Sequence, residues 1–285
     1  MRRPLILVTN DDGIDARGLW ANVEALLPLG ELLVAAPDRQ WSGASRAKIH
    51  NVTGRVSEVR RLVAGQRVRA LALDLTPAQI VDHVVLERAP RRPDLVVSGV
   101  NLGANLGHDV GLSGTVGAAL EAAFFGIPAL AVSLGIDERH DPIGDELAGY
   151  AVVSPFTRQF AQLLLDQQLP QDVDVLNVNV PDGAPPDTAW QLTRVSRFRH
   201  YIPIPRENPG CEGRMQHRQL DDYRQTEPDS DIWAVEVDHV VSVSPLSVDL
   251  TSRVSMAALD SKLRMDLRQG AISIPCELEA VPSGH

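Results

Sequence analysis

The chain has 285 residues, 44% of them hydrophobic, and a formal net charge of -10. That length suffices for one large core domain, or one domain with an appendage. The acidic excess excludes a nucleic-acid polymer as partner, because no basic surplus exists to replace counterions on phosphates. A small anionic substrate stays open, provided a bound metal reverses the field locally. Of the 27 basic residues only Lys48 and Lys262 are lysine, which reads as a composition bias of the source genome. Cys211 and Cys276 are far apart and suggest neither a disulfide framework nor a thiolate metal site. The start MRRPLILVTNDDG has an apolar run too short for a secretory signal. No stretch approaches the length of a membrane span, so a cytoplasmic protein is expected.

Leu5 to Val8 is a continuous apolar run, as expected of a strand covered on both faces. Leu19, Trp20, Val23, Leu26 and Leu27 then recur at helical spacing before Gly30, and Leu32 to Ala36 is a second short apolar run. Strand, helix and strand within some thirty residues make the βαβ unit of a parallel sheet. Thr76 and Pro77 predict the N-cap and first residue of a helix reaching Val85. Asp94 to Val97 predicts a strand, Thr115 to Phe125 a helix, Ala129 to Ser133 a strand and Ala148 to Gln167 a longer helix. Val175 to Val180 alternates apolar residues with asparagine. Residues 182–230 lack firm periodicity, Ile232 to Ser244 predicts one or two strands, and Ser252 to Leu267 predicts a helix.

Two adjacent carboxylates, Asp11 and Asp12, follow the first strand. Asn-Asp-Asp-Gly is also a turn-forming sequence, so the pair gains meaning only from its company. In open α/β sheets, ligands bind past the carboxyl ends of the strands. The loops PDRQWSGAS and SGVNLGANLGHDVGLSGT leave that same edge, the second carrying Asn101, Asn105, Asp109, Ser113 and Thr115. Two carboxylates, a serine hydroxyl and an asparagine carbonyl form an all-oxygen set suited to one Mg or Mn ion. With no cysteine or paired histidine in these loops, zinc suits the set less well. In LSGTVGAALEAAFFG small residues lead into an Ala-rich helix. The amides of Gly114 and Thr115 are therefore expected free at its N-terminus, where an anion such as phosphate is favoured; an ordinary Ser/Thr cap is the plainer reading. Neither a G-x-G-x-x-G after the first strand nor a P-loop is present, and G-x-S-x-G is not met at Ser42. The combination points to metal-assisted hydrolysis of a phosphate monoester.

Taken in order, LVTNDDGIDARGL, VAAPDRQWSGAS and PDLVVSGVNLGANLGHDVGLSGTVGAALEAAFFGIPALAVSL resemble the SurE survival-protein nucleotidases, with LNVNVP and DIWAVEVDHVVSVSPLSVDLT matching further on. The resemblance implies divalent-metal-dependent hydrolysis of nucleoside monophosphates, usually 5' and often also 3'. It implies metal ligands at Asp11, Asp12, Ser42 and Asn101, and a homodimer or homotetramer with C-terminal elements exchanged between subunits. The chain departs from the family pattern at Gln79 and Ile80, at Leu112, at Trp41 and across ENPGCEGRMQHRQ (207–219). These departures leave the metal set untouched and bear on base recognition and rate.

The expected fold is α/β, a Rossmann-like three-layer α/β/α sandwich over residues 1–181, with a C-terminal α+β oligomerisation arm over 182–285. Asp11 and Asp12 are assigned as catalytic, one of them taking the proton of the attacking water. Asn101, Asn105, Ser113, Gly114 and Thr115 are assigned to the substrate phosphate. For Asn105 and Asp109 a purely turn-forming role stays open. Trp41 either stacks on a nucleobase or packs. His108 reads as a solvated loop residue and Arg194 as structural. Two competing functions are a nucleotide-binding regulatory protein of the same fold and a metal-dependent glycosyltransferase. The missing D-x-D spacing and the SGT before a helix count against the second.

Overall fold

The structure, a computed structural model, describes residues 2–136, 142–167, 169–205 and 216–268. Cys211, Cys276 and most of segment 207–219 lie outside the described residues. In chain order the elements are β1 (Leu5–Thr9), α1 (Arg17–Leu26), β2 (Glu31–Pro37), β3 (Val56–Val63), β4 (Gln66–Leu73), α2 (Pro77–His83), β5 (Leu95–Leu102), α3 (Gly114–Phe124), β6 (Ala129–Leu134), α4 (Pro142–Asp166) and β7 (Val175–Val180). There follow β8 (Trp190–Leu192), β9 (Tyr201–Ile204), β10 (Gln216–Gln219), α5 (Asp231–Glu236), β11 (Val241–Leu246) and α6 (Met256–Arg268). Met1–Val248 forms one compact unit and Asp249–His285, containing α6, another.

Nine strands form one sheet in the order β3-β4-β2-β1-β5-β6-β7-β11-β8. From β4 to β7 every neighbouring pair is parallel; β3 pairs antiparallel with β4, and β11 antiparallel with β7. The side chains of β1 explain why a core strand needs an unbroken apolar run. Ile6 and Val8 join a cluster with Leu19, Val23 and Leu26 of α1 and Val153 and Phe156 of α4. Leu7 joins the opposite cluster, with Ile80 and Val81 of α2 and Val116, Ala119 and Ala122 of α3. Both faces are thus covered, and each such side chain contributes about 1.5–3 kcal/mol of burial. This is the expected α/β Rossmann-like arrangement.

Thr76 does cap α2. Its side chain accepts from the Gln79 amide, and Gln79 reaches back to the Thr76 amide, a reciprocal capping box with Pro77 in the first turn. Other expectations need correction. Ile232 to Ser244 is not strand throughout: Ser230 Oγ accepts from the Trp233 amide and starts α5, whose Ile232 and Val235 pack with Ala104 and Leu106. Tertiary packing overrides the β-propensity of that stretch. The hairpin β3–β4 is absent from the sequence reading because β3 lies at the sheet edge and carries Glu58, Arg60 and Arg61 on a mostly solvated ribbon. Helix α4 begins at Pro142, earlier than expected. Among the described residues no helix is long and apolar enough to cross a membrane.

Candidate active site

The turn after β1 separates the two readings of Asn-Asp-Asp-Gly by position. Its outer residues make the turn. Asn10 Oδ1 accepts from the Gly13 amide at 3.2 Å, and Asn10 Nδ2 donates to the Gly13 carbonyl at 3.0 Å. Gly13 has φ +105°, and a Cβ there would meet the Arg39 and Pro37 backbone at 3.3–3.4 Å, so glycine is required. The inner residues, Asp11 and Asp12, are what the turn displays.

Asp11 is buried, at 3% exposure. Its Oδ1 accepts a short hydrogen bond from Thr115 Oγ1, and the Thr115 backbone also bonds to it. Burial, and then the charge of Asp12, push the Asp11 carboxyl up to about 7 against the lowering effect of those bonds. The expectation of free amides at the start of α3 is therefore corrected at Thr115: a protein carboxylate already lies against this helix end. Gly114 makes the approach possible, since a Cβ there would fall 2.8 Å from Asp11 Cβ and Oδ2. Ser113 is the N-cap, its Oγ accepting from the Val116 amide at 3.1 Å. Asp12 is half-buried, with Gln40 Nε2 donating to it at 3.3 Å.

The loop after β2 comes to the same place, because the Trp41 amide donates to the Asp11 carbonyl at 2.7 Å. Ser42, the next residue, is exposed. Trp41 is half-buried, with the Arg39 guanidinium 4.8 Å from its ring centre. Asn101 lies near the end of β5. Thr9 of β1 pairs with Ser98 there, so Asn101 stands three residues past that register point and Asp11 two past Thr9. The ladder to β6 shifts register between Ser98 and Asn101, and Gly99 lies in that shift with φ +126°. Asn101 Nδ2 donates to the Gly103 carbonyl at 2.7 Å. Asp11, Asp12 and Ser42 thus follow the carboxyl ends of β1 and β2, and Asn101 lies in the last residues of the adjacent β5. Among the described residues no group of three or more His, Cys, Asp or Glu side chains could hold a metal. A cation here would rest on two carboxylates completed by neutral oxygens and water.

Asn105 sits deeper. Its amide donates to Asn179 Oδ1 at 2.8 Å and its Nδ2 to Ser133 Oγ at 2.9 Å, while its carbonyl accepts from Asn177 and Asn179. The asparagines alternating along β7 therefore anchor the glycine-rich loop. Asp109 Oδ2 accepts from the Tyr201 amide at 3.0 Å. His108 is exposed, and Arg194 pairs with Asp229 at 2.9 Å. The sequence reading passed over Asp231 and His200. Asp231, fully buried, accepts from the amides of Gly107, Ser196 and Ile232, and burial raises its carboxyl above the ordinary value despite those bonds. His200, at 1% exposure, bonds Glu236 at 2.9 Å. Asp231 opens the matching segment DIWAVEVDHVVSVSPLSVDLT without being given a role there, and His200 lies in no motif, so their partners come from the fold alone.

The chain is similar to known proteins of one family. The family model described as Survival protein SurE matches residues 6–201. A protein named 5'-nucleotidase SurE from Thermococcus gammatolerans is 39% identical over 262 residues, covering 90% of this chain and 95% of its own. One of the same name from Pelobacter propionicus is 40% identical, covering 89% and 97%. The crystal structure of the SurE protein from Aquifex aeolicus superimposes with a TM-score of 0.70 at 29% identity, covering 91% of this chain and all of that one.

Proposed function

Since the chain belongs to the survival protein SurE family, we propose that it is a nucleotidase that hydrolyses nucleoside 5'-monophosphates, and 3'-monophosphates as well, at a site needing one divalent cation. The observation that carries this reading is Asp11: a buried carboxylate beside a second one, pushed up to about 7 by burial and then by the charge of Asp12. Such a pair is unfavourable unless a cation lies between its members. Hard oxygen donors fit Mg or Mn. Asp11, Asp12, Ser42 and Asn101 are the residues that would hold the ion. When bound, it neutralises phosphoryl oxygens and lowers the pKa of a water.

The protein groups divide the remaining work. Thr115 fixes the Asp11 carboxylate by its hydroxyl and its backbone, so the acid does not reorient during reaction. Asp12 is half-buried where Asp11 is buried, and in this reading one of the two acids takes the proton of the attacking water. The Gly114 amide, at the positive end of α3, together with Asn101, favours the substrate phosphate. Asn105 serves by holding the glycine-rich loop in place. The Asp249–His285 unit carries Met256, Leu259 and Leu263 at helical spacing on α6. That apolar stripe needs a cover, which fits exchange with a second copy in a homodimer or homotetramer.

The test is phosphate release from a panel of 5' and 3' nucleotides with Mg or Mn, repeated with chelator. Release that chelator abolishes and the metal restores is expected. Metal-independent release would overturn the mechanism, and release from no nucleotide would overturn the function.

A further inference from the structure

Beyond Ser42 the chain is tethered at five successive residues. Ser45 donates from its amide to the Leu112 carbonyl and from Oγ to the Gly111 carbonyl, both at 2.9 Å. Arg46 meets Glu121 Oε2 at 2.9 Å, and Thr76 Oγ1 donates to the Ala47 carbonyl at 2.6 Å. Lys48 Nζ lies 2.8 Å from both Glu121 Oε1 and Asp82 Oδ2. Gln79 Nε2 donates to the Ile49 carbonyl at 2.8 Å. Gly117 lets the segment close on α3: a Cβ there would fall 2.1 Å from the Ser45 carbonyl oxygen.

Glu121 is the centre of this set. It is a buried carboxylate on α3, and each of its oxygens carries one cation from the loop. Burial pushes its carboxyl up, but the bonds from Lys48 and Arg46 outweigh that and leave it below its ordinary value. Lys48 breaks the composition of the chain, in which only two of 27 basic residues are lysine. A compact ammonium can face two carboxylates lying in different directions, whereas a guanidinium is a planar fork. Lysine therefore stands where the geometry calls for a point charge. Helix α3 also carries Thr115, the residue that fixes Asp11.

We propose that Glu121, through Lys48 and Arg46, is a positioning residue for the divalent-metal site, locking the loop that carries Ser42 to the helix that orients Asp11. The inference rests on the metal-site reading above. A residue that orients a ligand without touching the metal commonly contributes 10- to 100-fold in affinity.

The experiment is a calorimetric titration of the full chain with Mn alone, for wild type, Glu121→Gln, Lys48→Met, Ser42→Ala and the two double variants with Ser42→Ala. Glu121→Gln and Lys48→Met are each expected to weaken Mn binding about 10-fold, and neither to weaken it further once Ser42 is alanine. Lys48 is half-exposed, so Lys48→Met keeps the test available should Glu121→Gln not fold. An undiminished effect in the Ser42→Ala background, or wild-type affinity in both single variants, would overturn the positioning role alone. Wild-type affinity in Ser42→Ala would overturn the ligand set itself, and the positioning role with it.

Discussion

Replacing Asp11 by asparagine is expected to destroy activity and, without metal, to stabilise the protein. The Asp11 carboxyl rises from 3.8 to about 7 on folding. Between those values the folded chain keeps a proton that the unfolded chain has released, so stability falls as pH rises through the window and levels off above it. Roughly three units at 1.36 kcal/mol each make a penalty of about 4 kcal/mol at pH 8. Asparagine carries no charge, and its Oδ1 can still accept from Thr115 Oγ1, so the packing of this buried site is retained. At about 2–4 °C per kcal/mol for a chain of this size, Asp11→Asn should melt on the order of 10 °C above wild type at pH 8 with chelator. The gain should vanish near pH 4, where both proteins are neutral at this position. Adding Mn should raise the wild-type Tm and leave the variant nearly unmoved. The assay is thermal unfolding across pH 4–8, with chelator and then with metal. A metal-free variant no more stable than wild type at pH 8, or a gain independent of pH, would refute the claim that Asp11 is an uncompensated buried charge.

Asp12→Asn should lower kcat at least ~100-fold at saturating Mn, measured as phosphate release, because half of the carboxylate charge at the site is gone. Gly117→Ala places a methyl 2.1 Å from the Ser45 carbonyl oxygen; the loop must shift, and a loss of about 1–3 kcal/mol in denaturant unfolding should accompany weakened Mn binding. Asp231→Ala leaves the buried amides of Gly107 and Ser196, each 2.9 Å from that carboxylate, without their acceptor. It should lower stability by about 2–4 kcal/mol in urea unfolding, with no change in Mn affinity per folded molecule.

Local signals carried much of the fold. The apolar run of β1 and the Thr76-Pro77 start of α2 each depend on residues within a few positions, and each stands where the pattern places it; Ser113, assigned to the phosphate, caps α3 as its plainer reading had it. The NDDG turn was legible for the same reason, though the division of labour between its outer and inner residues was not. Elements whose conformation depends on distant partners escaped. The segment Asp231–Glu236 has a strand-like composition, yet it is helical because it packs on Ala104 and Leu106. The β3 edge strand is too charged to show a core-facing period.

The sequence by itself determined the set of chemical groups on offer and the strand ends that carry them, because strand, cap and turn preferences act over a few residues. Only the tertiary structure decided their environment. It placed Asp11 against Thr115, 104 positions away, and so made one acid of an adjacent pair buried and the other half-buried. It also inserted β11 beside β7 in the central sheet, and drew Glu121 onto Lys48 across 73 positions. Burial and charge pairing at such separations arise from packing between elements, and no short stretch of chain encodes them.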